Sequence, residues 1–98
     1  MRKKINRIKN LKSKRKLVCL TSYSKPFSKI LDKYCDLVLV GDSVATAFYG
    51  MKSTKNLSLN TIINHSSAVA KGINKSTLVV DMPFNTYKNL KLAKLNAK

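Results

Sequence analysis

The chain has 98 residues and a formal net charge of +16, because 20 Lys and Arg face only four Asp and Glu. A chain of this length forms at most one small domain with a modest core. Its apolar share of 44% is ordinary for a globular protein, so disorder is not the default interpretation, and its apolar runs are too short to span a membrane.

The positive charge is densest in RKKINRIKNLKSKRK at 2–16, which predicts a basic N-terminal arm (1–16) ahead of a domain at 17–98. Such a segment would suit phosphate contacts with nucleic acid. It contains no interleaved aromatic residues, however, and elsewhere the lysines are scattered among asparagines. A solvated arm is therefore favoured, and a small basic nucleic-acid-binding protein is kept as an alternative.

The compartment is inferred from the basic start and the two cysteines. The apolar run after the arm is short, turns polar at Thr21 and offers no small-residue cleavage site, so it does not indicate a secretory signal. Without an export signal, Cys19 and Cys35 are predicted to be buried, reduced thiols rather than a disulfide or metal pair. The predicted location is the cytoplasm, with no membrane partner.

Short apolar runs alternate with helical patterns along the chain. Strands are predicted at LVCL (17–20), LVLV (37–40) and TLVV (77–80). The second is a continuous apolar run, as expected of a strand covered on both faces. Helices are predicted near 24–35, 58–71 and from 89 onward, and the segment 44–56 is predicted to be irregular.

Helical spacing identifies the faces that should pack inward. In the first predicted helix this face comprises Phe27, Ile30, Leu31 and Tyr34, and in the second Ile62, Ser66 and Val69. Ser24 is predicted to be an N-cap, and Gly72 a C-cap.

Strand and helix alternation predicts a parallel sheet with right-handed crossovers. Asp42 and Asp81 are each the first ionisable residue after a buried strand. Because ligands gather beyond the carboxyl ends of such strands, we expect both carboxylates to face one space. They would repel each other unless a cation lay between them, and Mg²⁺ suits such ligands. The alternative is that each Asp is only a turn or helix-capping residue.

Several strings resemble the ketopantoate hydroxymethyltransferase family: LTSY at 20–23, VGDS at 40–43 and VVDMPF at 79–84. Other residues in that family's order and spacing are Gly50, Thr54, Leu59, His65, Ala68, Val69, Gly72 and Tyr87. The resemblance covers about residues 12–98, and the pair VGDS and DMPF is its most specific part.

The resemblance implies the N-terminal β/α units, about three strands, of a truncated (β/α)8 TIM barrel. It implies an enzyme of pantothenate biosynthesis that transfers a hydroxymethyl group from 5,10-methylenetetrahydrofolate to 3-methyl-2-oxobutanoate, giving 2-dehydropantoate. Asp42 and Asp81 would bind Mg²⁺, and Asp42, Ser43 and Asp81 would contact the 2-oxo acid. The family forms homo-oligomers. Its general base is expected beyond residue 98, so residues 1–98 alone are expected to be inactive.

A different magnesium-dependent barrel enzyme acting on a 2-oxo acid, of the phosphoenolpyruvate mutase and isocitrate lyase type, is the main enzymatic alternative. His65 is predicted to be a hydrogen-bonded structural histidine. Thr21 and Tyr23 follow the first strand at the same edge, where they could contact substrate or simply pack. Ser24 and Asn85 depart from the family, which more often has an acid and a glycine at these positions.

Overall fold

The computed structural model describes residues 2–98. In chain order its elements are α1 (Arg2–Asn10), β1 (Cys19–Thr21), α2 (Lys25–Leu31), β2 (Leu37–Val40), a short π-helix (Val44–Phe48), α3 (Leu59–Ala70), β3 (Thr77–Val80) and α4 (Leu90–Ala97). The segment predicted to be irregular therefore begins with a π-helix. No helix within residues 2–98 has the length and apolar character needed to cross a membrane.

The three strands form one parallel sheet in the order β1-β2-β3, as the alternation of strands and helices predicted. Leu37 of β2 lies opposite Cys19 on one side and Thr77 on the other. β1 starts two residues later than predicted and includes Thr21. All three carboxyl ends therefore meet at one edge, hereafter the carboxyl edge of the sheet.

The core lies between this sheet and α3. Val38 and Val40 of β2 are fully buried, and they pack in one cluster with Ile62 and Val69 of α3. These contacts confirm the predicted inner face of α3. The intervening Leu37 and Leu39 are only half-buried, so β2 is not covered equally on both faces as predicted. The second face of the sheet lacks a packing layer within residues 2–98.

The predicted inner face of α2 is wrong for three of its four residues. Phe27, Ile30 and Tyr34 are 66%, 57% and 73% exposed, and only Leu31 is half-buried. The helix instead buries Ser28, whose hydroxyl donates to the Val69 carbonyl of α3 at 2.9 Å. The close contact between α2 and α3 turns the apolar stripe of α2 away from the core.

Gly72 permits that close contact, and this role differs from the predicted one. A Cβ atom at Gly72 would lie 2.7 Å from the Lys25 carbonyl oxygen and 2.8 Å from the Lys29 amide nitrogen. The C-cap of α3 is Lys71, and Gly72 does not have the left-handed backbone of a glycine cap. The absence of a side chain is the property that the fold uses here.

The helix starts agree with the patterns of polar residues. Ser58 precedes α3 and accepts a hydrogen bond from the Thr61 amide, and Asn89 does the same for Leu92 at the start of α4. Ser24 precedes α2 in an extended conformation but makes no capping hydrogen bond with its side chain.

The predicted basic arm forms a helix whose side chains partly contact the domain. The Lys4 ammonium group donates a hydrogen bond to the Ser76 carbonyl at 3.0 Å, and the Arg7 guanidinium donates one to the Lys75 carbonyl at 3.4 Å. The remaining basic side chains of 2–16 are mostly exposed, as a solvated segment predicts. The two cysteines differ, since Cys35 is buried as predicted, whereas Cys19 is exposed on the edge strand.

Candidate functional site at the carboxyl edge of the sheet

The four carboxylates of the chain fall into two pairs. Asp32 and Asp36 are bound by groups of the protein itself, as described below. Asp42 and Asp81 make no ion pair and no side-chain hydrogen bond within residues 2–98, and both follow strands at the carboxyl edge. The carboxylates free to bind a ligand are therefore the two that the sequence selected.

Asp36 belongs to the opposite end of the sheet. Its buried carboxylate accepts two hydrogen bonds from Arg15, at 2.8 and 2.9 Å, and a third from the Val18 amide at 3.0 Å. The hydrogen bonds from Arg15, then that from Val18, lower the pKa of Asp36 from 3.8 to about 2. The residue joins the N-terminal segment to the start of β2.

Asp32 organises the turn before β3. Its carboxylate accepts backbone N–H groups of three successive residues, Asn74, Lys75 and Ser76, at 2.7–3.1 Å. Burial raises the pKa of Asp32, but these hydrogen bonds outweigh burial and the net pKa is lowered. This carboxylate is saturated by donors and has a structural role.

Asp81 lies beside Gly41 across the β2–β3 pair. Its amide donates to the Val40 carbonyl at 3.0 Å, which continues the sheet register one step past the strand. A Cβ atom at Gly41 would lie 3.2 Å from Asp81 Oδ2, tighter than most such contacts. Glycine therefore leaves room for the Asp81 carboxylate next to the turn that carries Asp42.

Ser43 completes this edge and is fixed from the neighbouring strand. The chain turns at Asp42 and Ser43, and the π-helix follows. The Ser43 hydroxyl is 2.7 Å from the hydroxyl of Tyr23, which follows β1. The structure thus gathers the predicted residues Asp42, Ser43 and Asp81 at the ends of two adjacent strands, with Tyr23 from the third.

His65 has the structural hydrogen bonds predicted for it. Its Nδ1 donates to the Tyr23 carbonyl at 2.8 Å, since a carbonyl can only accept, and its Nε2 is 2.8 Å from the Tyr49 hydroxyl. The rings of Tyr23, Phe48, Tyr49 and His65 form edge-to-face pairs. We call these four residues the aromatic cluster.

A cavity of about 270 Å³ opens beside the aromatic cluster. It is lined by Thr21, Ser22, Tyr23, Ser24, Phe27 and Phe48. Thr21 is exposed in this lining and makes no side-chain hydrogen bond within residues 2–98, so it remains available at the edge. The carboxyl edge therefore combines acidic, hydroxyl and aromatic groups in one region.

Magnesium is the cation that the resemblance implies, and the donors fit it in kind. Mg²⁺ is held by one or two carboxylates together with waters and substrate oxygens. Asp42 and Asp81 supply that number of carboxylates, and Gly41 leaves the space beside one of them open. Within residues 2–98 no three His, Cys, Asp or Glu side chains converge, so this part of the protein would supply two carboxylate ligands.

The fold and this edge define a class of protein, namely a parallel β/α protein with oxygen-bearing side chains beyond the carboxyl ends of its strands. Residues 2–98 match the sequence model of the family described as ketopantoate hydroxymethyltransferase. The chain belongs to this family.

Curated relatives with the name 3-methyl-2-oxobutanoate hydroxymethyltransferase support this assignment. That of Pelagibacter ubique (strain HTCC1062) is 50% identical over 98 residues, 100% of this chain and 38% of the relative. That of Anaplasma marginale (strain Florida) is 50% identical over 82 residues, 84% and 30% of the two chains, and that of Rhizobium etli is 45% identical over 85 residues, 87% and 31%. The chain spans about a third of the length of these relatives.

Two features of the site were missed from the sequence. The contact between Tyr23 and Ser43 joins residues 20 positions apart, and no spacing rule indicates it. The space left by Gly41 was present in the quoted string VGDS, but only the register of β2 and β3 reveals what that glycine faces.

Proposed function

We propose that residues 1–98 provide the metal and substrate-binding edge of an enzyme that transfers a hydroxymethyl group to 3-methyl-2-oxobutanoate. The donor is 5,10-methylenetetrahydrofolate, and the product is 2-dehydropantoate. In this proposal Asp42 and Asp81 hold Mg²⁺, and Asp42, Ser43 and Asp81 contact the 2-oxo acid.

One observation carries the proposal. Of the four carboxylates, only Asp42 and Asp81 lack partners within residues 2–98, and these two follow adjacent parallel strands beside a glycine. Carboxylate oxygens are ligands that Mg²⁺ prefers, so a divalent cation at this edge would use both groups and would support binding of an anionic substrate.

The side chains at this edge suit a small 2-oxo acid. When bound, Mg²⁺ would polarise the keto and carboxylate oxygens of the substrate and acidify the C–H beside the keto carbon. Asp42 and Asp81 orient the acid by holding that cation, and the Ser43 hydroxyl donates a hydrogen bond to its carboxylate. We assign no general base within residues 1–98, where the only carboxylates are the four already described. We therefore expect these residues alone to be inactive.

We further propose that the three strands are the first part of a (β/α)8 barrel. Support comes from apolar side chains that are exposed on the two outer strands of the sheet, namely Leu20 at 50% on β1 and Val80 at 41% on β3. A barrel would cover both edges with further parallel strands, and it would extend the half-covered second face into a closed core. The proposal also includes the homo-oligomeric state that the family resemblance implies. It includes a cytoplasmic location, where the free thiols of Cys19 and Cys35 would stay reduced.

A chimera tests the proposed function directly. Residues 1–98 would replace the matching segment of the Pelagibacter ubique relative, with which they share 50% identity over 98 residues. We expect folate-dependent formation of 2-dehydropantoate that requires added Mg²⁺. The matched controls are the same chimera with Asp81→Asn, which should lose turnover, and with Asp32→Asn, which should retain it once folded.

Two other outcomes of the chimera experiment would contradict the proposal. A folded chimera without turnover, alongside an active parent relative, would refute the proposal for this segment. Turnover of phosphoenolpyruvate or isocitrate instead would establish the alternative class of barrel enzyme.

A further inference from the structure

The Tyr23 hydroxyl lies where it can control the Ser43 hydroxyl. The two oxygens are 2.7 Å apart, which is a short hydrogen bond between hydroxyls. Only one of the two protons can lie between them. A phenol is the stronger donor and an aliphatic alcohol the stronger acceptor, so the favoured arrangement has Tyr23 donating. The Ser43 proton is then left to donate to another acceptor.

The Ser43 hydroxyl does not make the local capping hydrogen bond that its position before a helix favours. A serine before a helix usually turns its hydroxyl back onto the amides of the first turn. Ser43 precedes the π-helix, yet its side chain makes no such capping hydrogen bond. Its hydroxyl is instead hydrogen-bonded to that of Tyr23, which follows the neighbouring strand β1.

Tyr23 is itself held firmly enough to direct another group. Its carbonyl accepts a hydrogen bond from His65 Nδ1 at 2.8 Å, and its ring packs edge to face on Phe48 and His65. Tyr49 in turn holds His65 Nε2 at 2.8 Å. A side chain fixed in this way loses little entropy when it orients a ligand-binding group, which is the basis of preorganised sites.

We infer that Tyr23 is a positioning residue, whose hydroxyl turns the Ser43 O–H toward the carboxylate of the bound 2-oxo acid. This inference rests on the proposed function, in which Ser43 contacts that carboxylate. Tyr23 need not touch the substrate. Its effect should therefore appear in the orientation of Ser43 and in affinity for the acid, but not in binding of the metal ion.

The test compares Tyr23→Phe with Tyr49→Phe in the 98-residue chain. Both changes remove one hydroxyl from the aromatic cluster, but only Tyr23 reaches Ser43. NMR couplings of the Ser43 side chain report its rotamer, and titrations with Mg²⁺ and then 3-methyl-2-oxobutanoate report binding. For Tyr23→Phe we expect a changed Ser43 rotamer population and about three- to tenfold weaker binding of the acid, the usual effect of one hydrogen bond. Mg²⁺ affinity should stay the same. Tyr49→Phe, which can affect Ser43 only through His65 and Tyr23, should weaken binding of the acid much less than Tyr23→Phe does.

A Ser43→Ala background separates positioning from a general loss of packing. With no hydroxyl to orient, Tyr23→Phe should weaken binding no further, so the two changes should be strongly non-additive. Full additivity, an unchanged Ser43 rotamer, or an equal loss in Tyr49→Phe would overturn the inference. If the wild type binds no 2-oxo acid, the proposed function of this chain fails, and the Ser43 couplings still decide whether Tyr23 orients that hydroxyl.

Discussion

The two terminal nitrogens of Arg15 each donate a hydrogen bond to the buried carboxylate of Asp36, at 2.8 and 2.9 Å. Arg7 lies 3.5 Å from the same carboxylate. This contact fastens the segment after α1 to the end of the sheet opposite the candidate site. Two positive side chains of the N-terminal segment, Arg7 and Arg15, therefore take part in contacts within the fold.

The first prediction is a loss of stability in acid that depends on Arg15. Because the pKa of Asp36 falls from 3.8 to about 2 on folding, its stabilisation is complete above pH 4 and is lost as the pH falls toward 2. Arg15 is about half exposed, so solvent screening weakens the contribution of this ion pair to stability. Urea unfolding at pH 5 and pH 2.5 should show a smaller difference for Arg15→Gln than for the wild type.

The control for this prediction is Lys14→Gln, which removes an equal charge from an exposed neighbour. It should keep the wild-type pH dependence. Equal pH dependence in wild type and Arg15→Gln would show that the pair does not act through the titration of Asp36.

The second prediction separates the two pairs of carboxylates. Asp42→Asn and Asp81→Asn should each abolish binding of Mn²⁺, used as a paramagnetic substitute for Mg²⁺, because each removes one of two anionic ligands. Thermal unfolding should change little, since neither side chain is bound by the protein. Asp32→Asn should do the reverse, keeping Mn²⁺ binding while costing about 1–3 kcal/mol in stability through its three backbone amides.

Relaxation of amide resonances near Gly41 by Mn²⁺ is the measurement. Relaxation that persists in both site variants, or that disappears in Asp32→Asn while the chain stays folded, would move the metal away from the carboxyl edge.

The third prediction concerns the contact between α2 and α3. Gly72→Ala should destabilise the chain by about 1–3 kcal/mol, the typical cost of overpacking, because its Cβ would meet backbone atoms of Lys25 and Lys29. The Ser28 hydroxyl would also clash with this Cβ atom. Ser28→Ala should nevertheless not rescue Gly72→Ala, since the backbone atoms remain at 2.7 and 2.8 Å. Rescue would show that the Ser28 side chain alone sets the limit.

Hydrogen exchange provides the matched control. Gly50 has a left-handed backbone with φ +68 and nothing within 4 Å of a Cβ, so Gly50→Ala adds only conformational strain. It should leave amide protection in α2 and α3 unchanged, whereas Gly72→Ala should lower it in both helices.

The sequence predicted the parallel sheet and its carboxyl edge well, for a physical reason. A short continuous apolar run fits either a strand or a buried helix segment, and its short length between helical patterns favours a strand. Since parallel strands share one carboxyl edge, placing Asp42 and Asp81 together needed no knowledge of side-chain packing. Asn85 adopts a left-handed backbone with φ 70, which asparagine tolerates better than most residues.

The sequence failed where the identity of the packing partner mattered. Apolar spacing showed that Phe27, Ile30 and Tyr34 share a face of α2, but it could not show that α3 would pack against Ser28 instead. Cys19 was misplaced for a related reason, since β1 is an edge strand in this sheet. A periodic pattern identifies a face to be covered and does not say what covers it.

The fourth prediction follows from these uncovered faces. Leu20 of β1 and Ile30 of α2 are 50% and 57% exposed, and exposed apolar edge strands promote association. We expect the isolated chain to self-associate in sedimentation experiments as its concentration rises. Leu20→Lys should shift it toward the monomer, because a charge on an edge strand opposes pairing. Asn60→Lys adds the same charge on an exposed position of α3 and should leave association unchanged. If both lysine variants reduce association equally, net charge rather than the uncovered β1 edge controls it, and a fully monomeric wild type would show that these apolar faces do not attract one another.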